Sequence, residues 1–235
     1  MGQRADATQP AEPPGEAGLA EETPISVLAV TPNLELIERA RHLRLLGRGL
    51  RADGHHYRLV AGARTANSQI EDDGLLYRFV QLSMGTVLPP IELIAYARAI
   101  LAELLAEPAQ IIQSTSVRTT YAAALAIMAQ AICRPRAAEP AVVTTLYPGK
   151  APTLLERDVF QLRMLSDAAV VTEAAEYDLL VQRGFPADRL SHIPIPEAED
   201  DQDKLHAHIS SIQQVYTRAT ERRASKATVL MGYEA

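Results

Sequence analysis

Three consecutive hydroxyl residues, Ser114, Thr115 and Ser116, follow a short apolar run that ends at Gln113, and Arg118 lies two positions further on. An apolar run, a serine cluster and then an alanine-rich stretch are typical of a strand that leads into a helix. The free N–H groups of such a helix start, with hydroxyls and a guanidinium beside them, could bind an anion or a ligand rich in hydroxyl groups. The same residues also fit plain N-capping, and the sequence leaves both interpretations open.

Other polar segments follow predicted strands in the same way. Asn33 comes after the first strand and Glu173 after the sixth, while Tyr147 and Lys150 lie in the loop after the fifth. Ligands of open parallel α/β sheets bind outside the carboxyl ends of the strands. We therefore predict one cleft, and assign no general base or other catalytic group within it. The predicted substrate contacts are Asn33, Ser114, Ser116, Arg118, Tyr147, Lys150 and Glu173.

Two further motifs have the wrong context for the chemistry that they suggest. The segment from Gly47 through Gly49 to Ala52 fits the pattern G-x-G-x-x-A of dinucleotide-binding turns, but it lies at the far end of a predicted helix. The tripeptide 201–203, Asp-Gln-Asp, resembles an acidic metal-binding motif, but it lies in an acidic linker with no strand before it. We predict neither a cofactor nor a metal ion.

Strands and helices alternate along residues 25–196. Apolar residues spaced three or four apart predict helices between short apolar runs, and Gly54 and Gly184 mark two helix ends. This alternation predicts an α/β fold, a three-layer Rossmann-like domain with a mostly parallel sheet and helices on both faces. The runs predict strands at 25–30, 57–61, 76–81, 110–113, 141–145, 168–171 and 190–193.

The chain divides into three parts. Residues 1–24 are rich in proline, alanine and glutamate, and we predict a disordered acidic tail there. Residues 25–196 are the Rossmann-like domain, and 197–235 contain an acidic linker and a C-terminal amphipathic helix at about 204–224. The apolar stripe of that helix must bury against this sheet or another chain. The stripe comprises Leu205, Ile209, Ile212, Tyr216 and Ala219.

Composition excludes several classes of protein. The 235 residues are 47% hydrophobic, which is enough for a sizeable core. With 23 Lys and Arg against 29 Asp and Glu, the net charge is −6, so we do not expect a nucleic-acid partner. A single cysteine, Cys133, excludes a disulfide framework. No secretion signal and no apolar run of about 18 residues is visible, so we expect a cytoplasmic protein without a transmembrane segment.

Three stretches occur in an order typical of one enzyme family. A glycine–histidine pair precedes the second strand within 50–60, a P-v-v-x-T strand occupies 140–145, and 166–194 forms a closing segment that ends in Ile-Pro. In this order and spacing, the stretches resemble the N-terminal domain of family-4-like glycosyltransferases, two-domain enzymes with the GT-B fold. The resemblance covers about residues 25–196.

The resemblance implies a function for a cleft between two domains. The N-terminal domain of such enzymes binds the acceptor, which for this chain would be a sugar or a glycolipid. Their C-terminal domain holds a nucleotide-sugar donor, and transfer usually retains the anomeric configuration without a divalent metal ion.

The sequence departs from the family pattern at four points. Residues 31–34, Thr-Pro-Asn-Leu, replace the glycine turn that approaches the donor phosphates. Leu146 stands where a histidine is often found, and residues 193–196, Ile-Pro-Ile-Pro, replace the pattern I-P-N-G. The sequence also contains no counterpart of the donor-binding domain.

Three hypotheses follow. The first is an acceptor-side half of a sugar transferase, which would transfer a hexosyl group only with a separate donor-binding subunit; a homo-oligomer is the other assembly considered. The second is a non-catalytic binding or scaffold module derived from such a domain. The third, a single-domain Rossmann enzyme with a nucleotide cofactor, is disfavoured because the first turn lacks glycine.

Overall fold

A computed structural model describes residues 24–32, 34, 37–63, 76–81, 89–196 and 201–232. The expected tail, Asn33 and most of the acidic linker lie outside these residues. The strands are β1 (Ser26–Thr31), β2 (His56–Ala63), β3 (Leu76–Gln81), β4 (Ile111–Ser114), β5 (Ala141–Leu146), β6 (Ala168–Val171) and β7 (Leu190–His192). The helices are α1 (Ile37–Ala52), α2 (Pro89–Ala106), α3 (Val117–Cys133), α4 (Glu156–Leu165), α5 (Ala174–Gln182) and α6 (Gln202–Gly232).

All seven strands form one parallel sheet in the order β3-β2-β1-β4-β5-β6-β7. The chain adds strands toward one edge from β1 to β3 and toward the other edge from β4 to β7. The order therefore reverses between β1 and β4, where Val30 pairs with Val60 on one side and Ser114 on the other. The predicted Rossmann-like sheet is confirmed.

The sheet is buried on both faces. Successive residues of a strand point to opposite faces, and β1 illustrates this: Val27 packs with α1 and α6, whereas Leu28 packs with α2 and α3. A third cluster joins α4 and α5 to β6 through residues such as Leu162 and Leu180. Helices thus cover both faces, as the alternation of elements predicted.

The apolar stripe of α6 buries against this sheet. Ile209, Ile212 and Tyr216 are each at most 2% exposed and lie in the same cluster as the α1 leucines. The helix is longer than expected, and its basic end is tied to the sheet: Lys226 Nζ lies 2.7 Å from Oδ1 of the buried Asp167. Helix α6 therefore completes one layer of the domain.

The G-x-G-x-x-A segment has a packing role. A Cβ added to Gly49 would lie 2.6 Å from Cδ1 of Ile209 on α6, well inside van der Waals contact. The absence of a side chain at this position lets α1 and α6 approach closely. The segment lies in the C-terminal part of α1, away from the turn after β1, as the sequence predicted.

We predict that Gly49→Ala lowers the free energy of unfolding by on the order of 1 kcal/mol, although alanine is intrinsically the better helix residue. The overlap with the buried Ile209 side chain outweighs the gain in propensity. Urea denaturation would measure the loss. The Ile209→Ala background removes the overlapping atoms, so Gly49→Ala should be neutral or stabilising there; an equal loss in both backgrounds would contradict this account.

Candidate functional site

An open cavity of about 910 Å³ lies at the carboxyl edge of the sheet, beside the point where the strand order reverses. Its walls come from the residues after β1 and β4, the N-terminal halves of α2 and α3, the end of β5 and helix α4. Tyr96 of α2 donates a hydrogen bond of 2.6 Å to the carbonyl of Pro32, which joins two of these walls. The position is the usual ligand site of an open α/β sheet.

The charged side chains of the cavity wall are mostly cationic. Two of its arginines face carboxylates: Arg118 lies 3.3 Å from Glu92, and Arg157 lies 3.7 Å from Asp158. Asp158 also accepts a hydrogen bond of 2.9 Å from the amide of Leu155 at the start of α4. The described charged lining consists of Arg39, Arg118, Lys150 and Arg157 against Glu92 and Asp158.

The serine cluster divides into a capping residue and a buried residue. Ser116 Oγ accepts a hydrogen bond of 3.2 Å from the amide of Thr119, so Ser116 is the N-cap of α3, and it also lines the cavity. Ser114 is fully buried, and its hydroxyl bonds to Thr120, which in turn bonds to Thr144. The hydroxyl of Ser114 therefore fixes α3 to the sheet.

Tyr147 belongs to a buried hydrogen-bonded chain behind the cavity. Its hydroxyl lies 2.8 Å from Nδ1 of His42, and Nε2 of His42 lies 2.9 Å from Nε2 of His208. Nδ1 of His208 lies 3.0 Å from the carbonyl of Pro194. Because that carbonyl can only accept, each proton is assigned in turn: His208 carries its proton on Nδ1, His42 on Nε2, and Tyr147 donates to His42.

Burial keeps the side chains of this hydrogen-bonded network uncharged at neutral pH. It lowers the pKa of His42 from 6.5 to about 3, with a smaller contribution from His208, and it also lowers the pKa of His208. The pKa of Tyr147 is raised, again chiefly by burial. Because these side chains are neutral, each hydrogen bond holds one proton and no two charges repel. The hydrogen-bonded network of His42, Tyr147 and His208 therefore links α1, the loop after β5 and α6.

Arg39 lies between the hydrogen-bonded network and the cavity. It lies in the first turn of α1 and is only 4% exposed, yet it forms part of the cavity wall. Its guanidinium carbon lies 5.4 Å from the centre of the Tyr147 ring, a cation–π distance. The buried hydrogen bonds that fix Tyr147 therefore also help to position the guanidinium of Arg39 at the site.

The loop that carries Lys150 is fixed from below. Gly149 has a φ of +74°, a conformation that favours glycine, and Glu176 Oε1 accepts a hydrogen bond of 3.2 Å from the amide of Ala151. Burial raises the pKa of Glu176, and the loop amides partly oppose that rise. Arg183 donates to the carbonyl of Leu154 at 2.8 Å. The loop is thus held by the carboxyl group of Glu176 on α5 and by Arg183, the residue that follows this helix.

The structure brings together some of the predicted contact residues. Ser116, Arg118 and Lys150 line the cavity, whereas Ser114 and Tyr147 are buried next to it and do not. Glu173 is exposed at the start of α5 and also lies outside the lining, and Asn33 lies outside the described residues. A role as a substrate contact stays a prediction for all seven.

Sequence reasoning missed Arg39, His42 and His208. Each lies at helical spacing within an apolar stripe: Arg39 is four residues before Leu43, and His42 is four before Leu46. A polar residue in a stripe that must bury is a signal for a satisfied internal network. Tyr121 of α3 is also partly exposed on the cavity wall.

The described part of the chain contains neither a cluster of metal ligands nor a membrane-spanning helix. No three histidine, cysteine, aspartate or glutamate side chains there are grouped as a metal site requires. Among the same residues, no helix has the length and hydropathy needed to cross a bilayer.

No family model and no curated protein matches the sequence. Solved structures do match, including the lipopolysaccharide outer core galactosyltransferase WaaB, with 8% identity and a TM-score of 0.56 over 75% of this chain and 47% of that one. HepE from Anabaena, solved with UDP and glucose, gives 13% identity, a TM-score of 0.53, and 79% and 50% coverage. UDP-N-acetylglucosamine 2-epimerase from Rickettsia bellii gives 11% identity and a TM-score of 0.52, over 81% of this chain and 49% of that one.

These identities establish the fold alone. The chain has the Rossmann-like fold found in GT-B glycosyltransferases and epimerases, and it spans half or less of the length of each of these three structures.

We predict that acid destabilises the folded protein through the histidine pair. Because the pKa of His42 is about 3 when folded and 6.5 when exposed, the unfolded chain binds more protons between these values. The free energy of unfolding is therefore unaffected by His42 above pH 6.5. Below that pH it decreases, with a slope of up to about 1.4 kcal/mol per pH unit for His42. Urea denaturation at a series of pH values would measure it.

The variant His42→Gln removes one titration and should give a shallower loss of stability below pH 6.5. His206→Gln is the matched control, because His206 lies on the exposed face of α6 two residues from His208. It should retain the wild-type slope. An unchanged slope in His42→Gln would contradict the assignment.

We predict that Glu176→Ala loosens the loop that carries Lys150, because the amide of Ala151 loses its buried acceptor. Hydrogen exchange at Ala151 should accelerate by about tenfold, equivalent to about 1.4 kcal/mol. Glu176→Gln keeps the acceptor oxygen and should restore most of the protection. Asp178→Ala, an exposed change on the same helix, is the control; equal acceleration in the control would show a general effect of α5.

Proposed function

We propose that this chain is the acceptor-side lobe of a two-lobed sugar transferase and that a partner chain supplies the donor-binding lobe. The observation that carries the proposal is the open cavity at the carboxyl edge of a domain with the Rossmann-like fold of GT-B structures. The family-4-like pattern in the sequence supports the same assignment. An open edge in one lobe needs a second lobe to exclude water from a transfer reaction.

In this proposal, the reaction moves a hexosyl group from a nucleotide-sugar to an acceptor hydroxyl. The bond between the anomeric carbon and the diphosphate breaks, and the nucleoside diphosphate leaves with the electron pair. The acceptor oxygen forms the new bond, and its proton passes to an oxygen of the leaving diphosphate. Ser116 and Arg118, at the cavity wall, would bind acceptor hydroxyls, and Lys150 would contribute a positive charge. No residue of this chain is assigned as the base.

The alternative is a binding module that has lost catalysis. Leu146 favours it, because this residue lies on the cavity wall at the position where the family pattern has a histidine. A leucine cannot exchange a proton with a substrate. In that case the cavity would bind a sugar without transferring it.

We predict that the purified chain has no transferase activity alone and gains it with a nucleotide-binding partner captured from the native cell. Release of nucleoside diphosphate and a mass increase of one hexose in the acceptor would be measured on the reconstituted complex. Arg118→Ala should raise the KM for the acceptor by about tenfold through the loss of a charge-assisted hydrogen bond.

Arg98→Ala is the control, because Arg98 is an exposed arginine of α2 outside the cavity lining. A complex that binds sugar but transfers it from no nucleotide-sugar would support the binding module. A chain that neither binds sugar nor finds such a partner would contradict both proposals.

A further inference from the structure

The cavity differs in charge from the rest of the protein. The whole chain has a net charge of −6, yet the described charged groups of the cavity wall are four cations and two anions. A concave surface of one sign raises the local concentration of ligands of the opposite sign. The excess of positive charge is therefore a feature of the site and not of the chain.

Both carboxylates of the wall already have cationic or amide neighbours. Glu92 faces Arg118 at 3.3 Å, and Asp158 accepts from the Leu155 amide and lies 3.7 Å from Arg157. The ammonium group of Lys150 forms an ion pair with neither carboxylate, nor with any other residue that the structure describes. The positive charge of Lys150 is thus directed to solvent and to ligands.

Arg39 adds a second cation with restricted freedom. It is almost fully buried in the first turn of α1, over the ring of Tyr147, and arginine keeps its charge in proteins. A guanidinium whose position is fixed before binding loses little entropy when it binds an oxyanion, and its planar donors match the oxygens of phosphate. The N-terminus of α3, which is capped by Ser116 on the same wall, contributes partial positive charge.

The remaining wall is suited to an apolar or ring-shaped body. Leu93, Tyr96 and Tyr121 line the cavity on the side of α2 and α3. Aromatic side chains pack against the apolar faces of sugar rings and against alkyl chains. One part of the cavity is thus cationic, and another is aromatic and aliphatic.

We propose that the acceptor bound in this cavity carries a phosphate monoester, held by Arg39 and Lys150, with its sugar or alkyl body against Tyr96 and Tyr121. This inference rests on the proposed function and names the chemical class of the acceptor. The phosphate could belong to a soluble sugar phosphate or to the headgroup of a lipid. The experiment therefore tests both sources.

Isothermal titration of the full chain would compare glucose 6-phosphate, glucose, inorganic phosphate and UDP. Flotation would compare phosphatidylcholine vesicles that contain phosphatidylinositol 4-phosphate with vesicles that contain the same fraction of phosphatidylinositol. We expect glucose 6-phosphate or the phosphoinositide vesicles to bind at least about tenfold more tightly than their unphosphorylated counterparts. Binding should weaken with salt. Preference for glucose 6-phosphate indicates a soluble acceptor, and preference for the vesicles indicates a lipid.

The variants Arg39→Gln and Lys150→Gln should each weaken that binding by about tenfold or more. Arg48→Gln on α1 and Lys204→Gln on α6 are matched controls outside the cavity lining, and each should keep wild-type affinity. Thermal denaturation would show that Arg39→Gln still folds, and Lys150→Gln, at an exposed position, tests the inference independently.

Equal binding of glucose and glucose 6-phosphate would overturn the phosphate inference and leave the acceptor-lobe proposal intact. Tighter binding of UDP than of glucose 6-phosphate would assign the cationic site to the donor and would also overturn the inference. The absence of binding by every phosphorylated probe would overturn it as well, whereas the transfer assay with the partner judges the acceptor-lobe proposal separately.

Discussion

The parallel pairing of β1 with β4 determines where the site can lie. The register that sets Val30 beside Ser114 brings the end of β1 against the start of α3, where the Thr115 amide bonds to the Val30 carbonyl at 3.1 Å. The Thr115 hydroxyl then donates to Thr31 at 3.0 Å. Connections leave these two strands toward opposite edges of the sheet, so none of the helices that the structure describes covers the crevice between their carboxyl ends. The cavity is a consequence of this reversal.

The second constraint is the docking of α6. Its apolar stripe occupies the face of the sheet beside α1, and close approach depends on Gly49. Within this apolar layer, His42 and His208 form a hydrogen-bonded chain to Tyr147. Burying a polar group without a hydrogen-bond partner costs free energy. This hydrogen-bonded network therefore favours the one arrangement of α1, α6 and the β5 loop in which each group has its partner. The C-terminal helix thus supports the cation at Arg39 without entering the cavity.

Much of this fold could be predicted from the sequence, because buried parallel strands and amphipathic helices have distinct periods. Adjacent residues of a strand point to opposite faces of the sheet. This rule could also have predicted that Leu146 and Tyr147 have different surroundings: Leu146 lines the cavity, and Tyr147 points toward α1. The histidine pair could not be foreseen, since His42 and His208 are 166 positions apart and meet only through the packing of α1 on α6. Stripe periodicity indicates that a polar residue is buried, but not its partner.

We propose above that the carboxyl edge of the sheet binds substrate and that a second lobe covers it. Hydrogen exchange of the full chain, with and without its captured partner and a nucleotide-sugar, tests this claim most directly. The account predicts new protection at residues 115–118 and 147–151, on the loops after β4 and β5. Protection confined to the opposite edge, at residues 109–110 and 139–140 before the same strands, would contradict it.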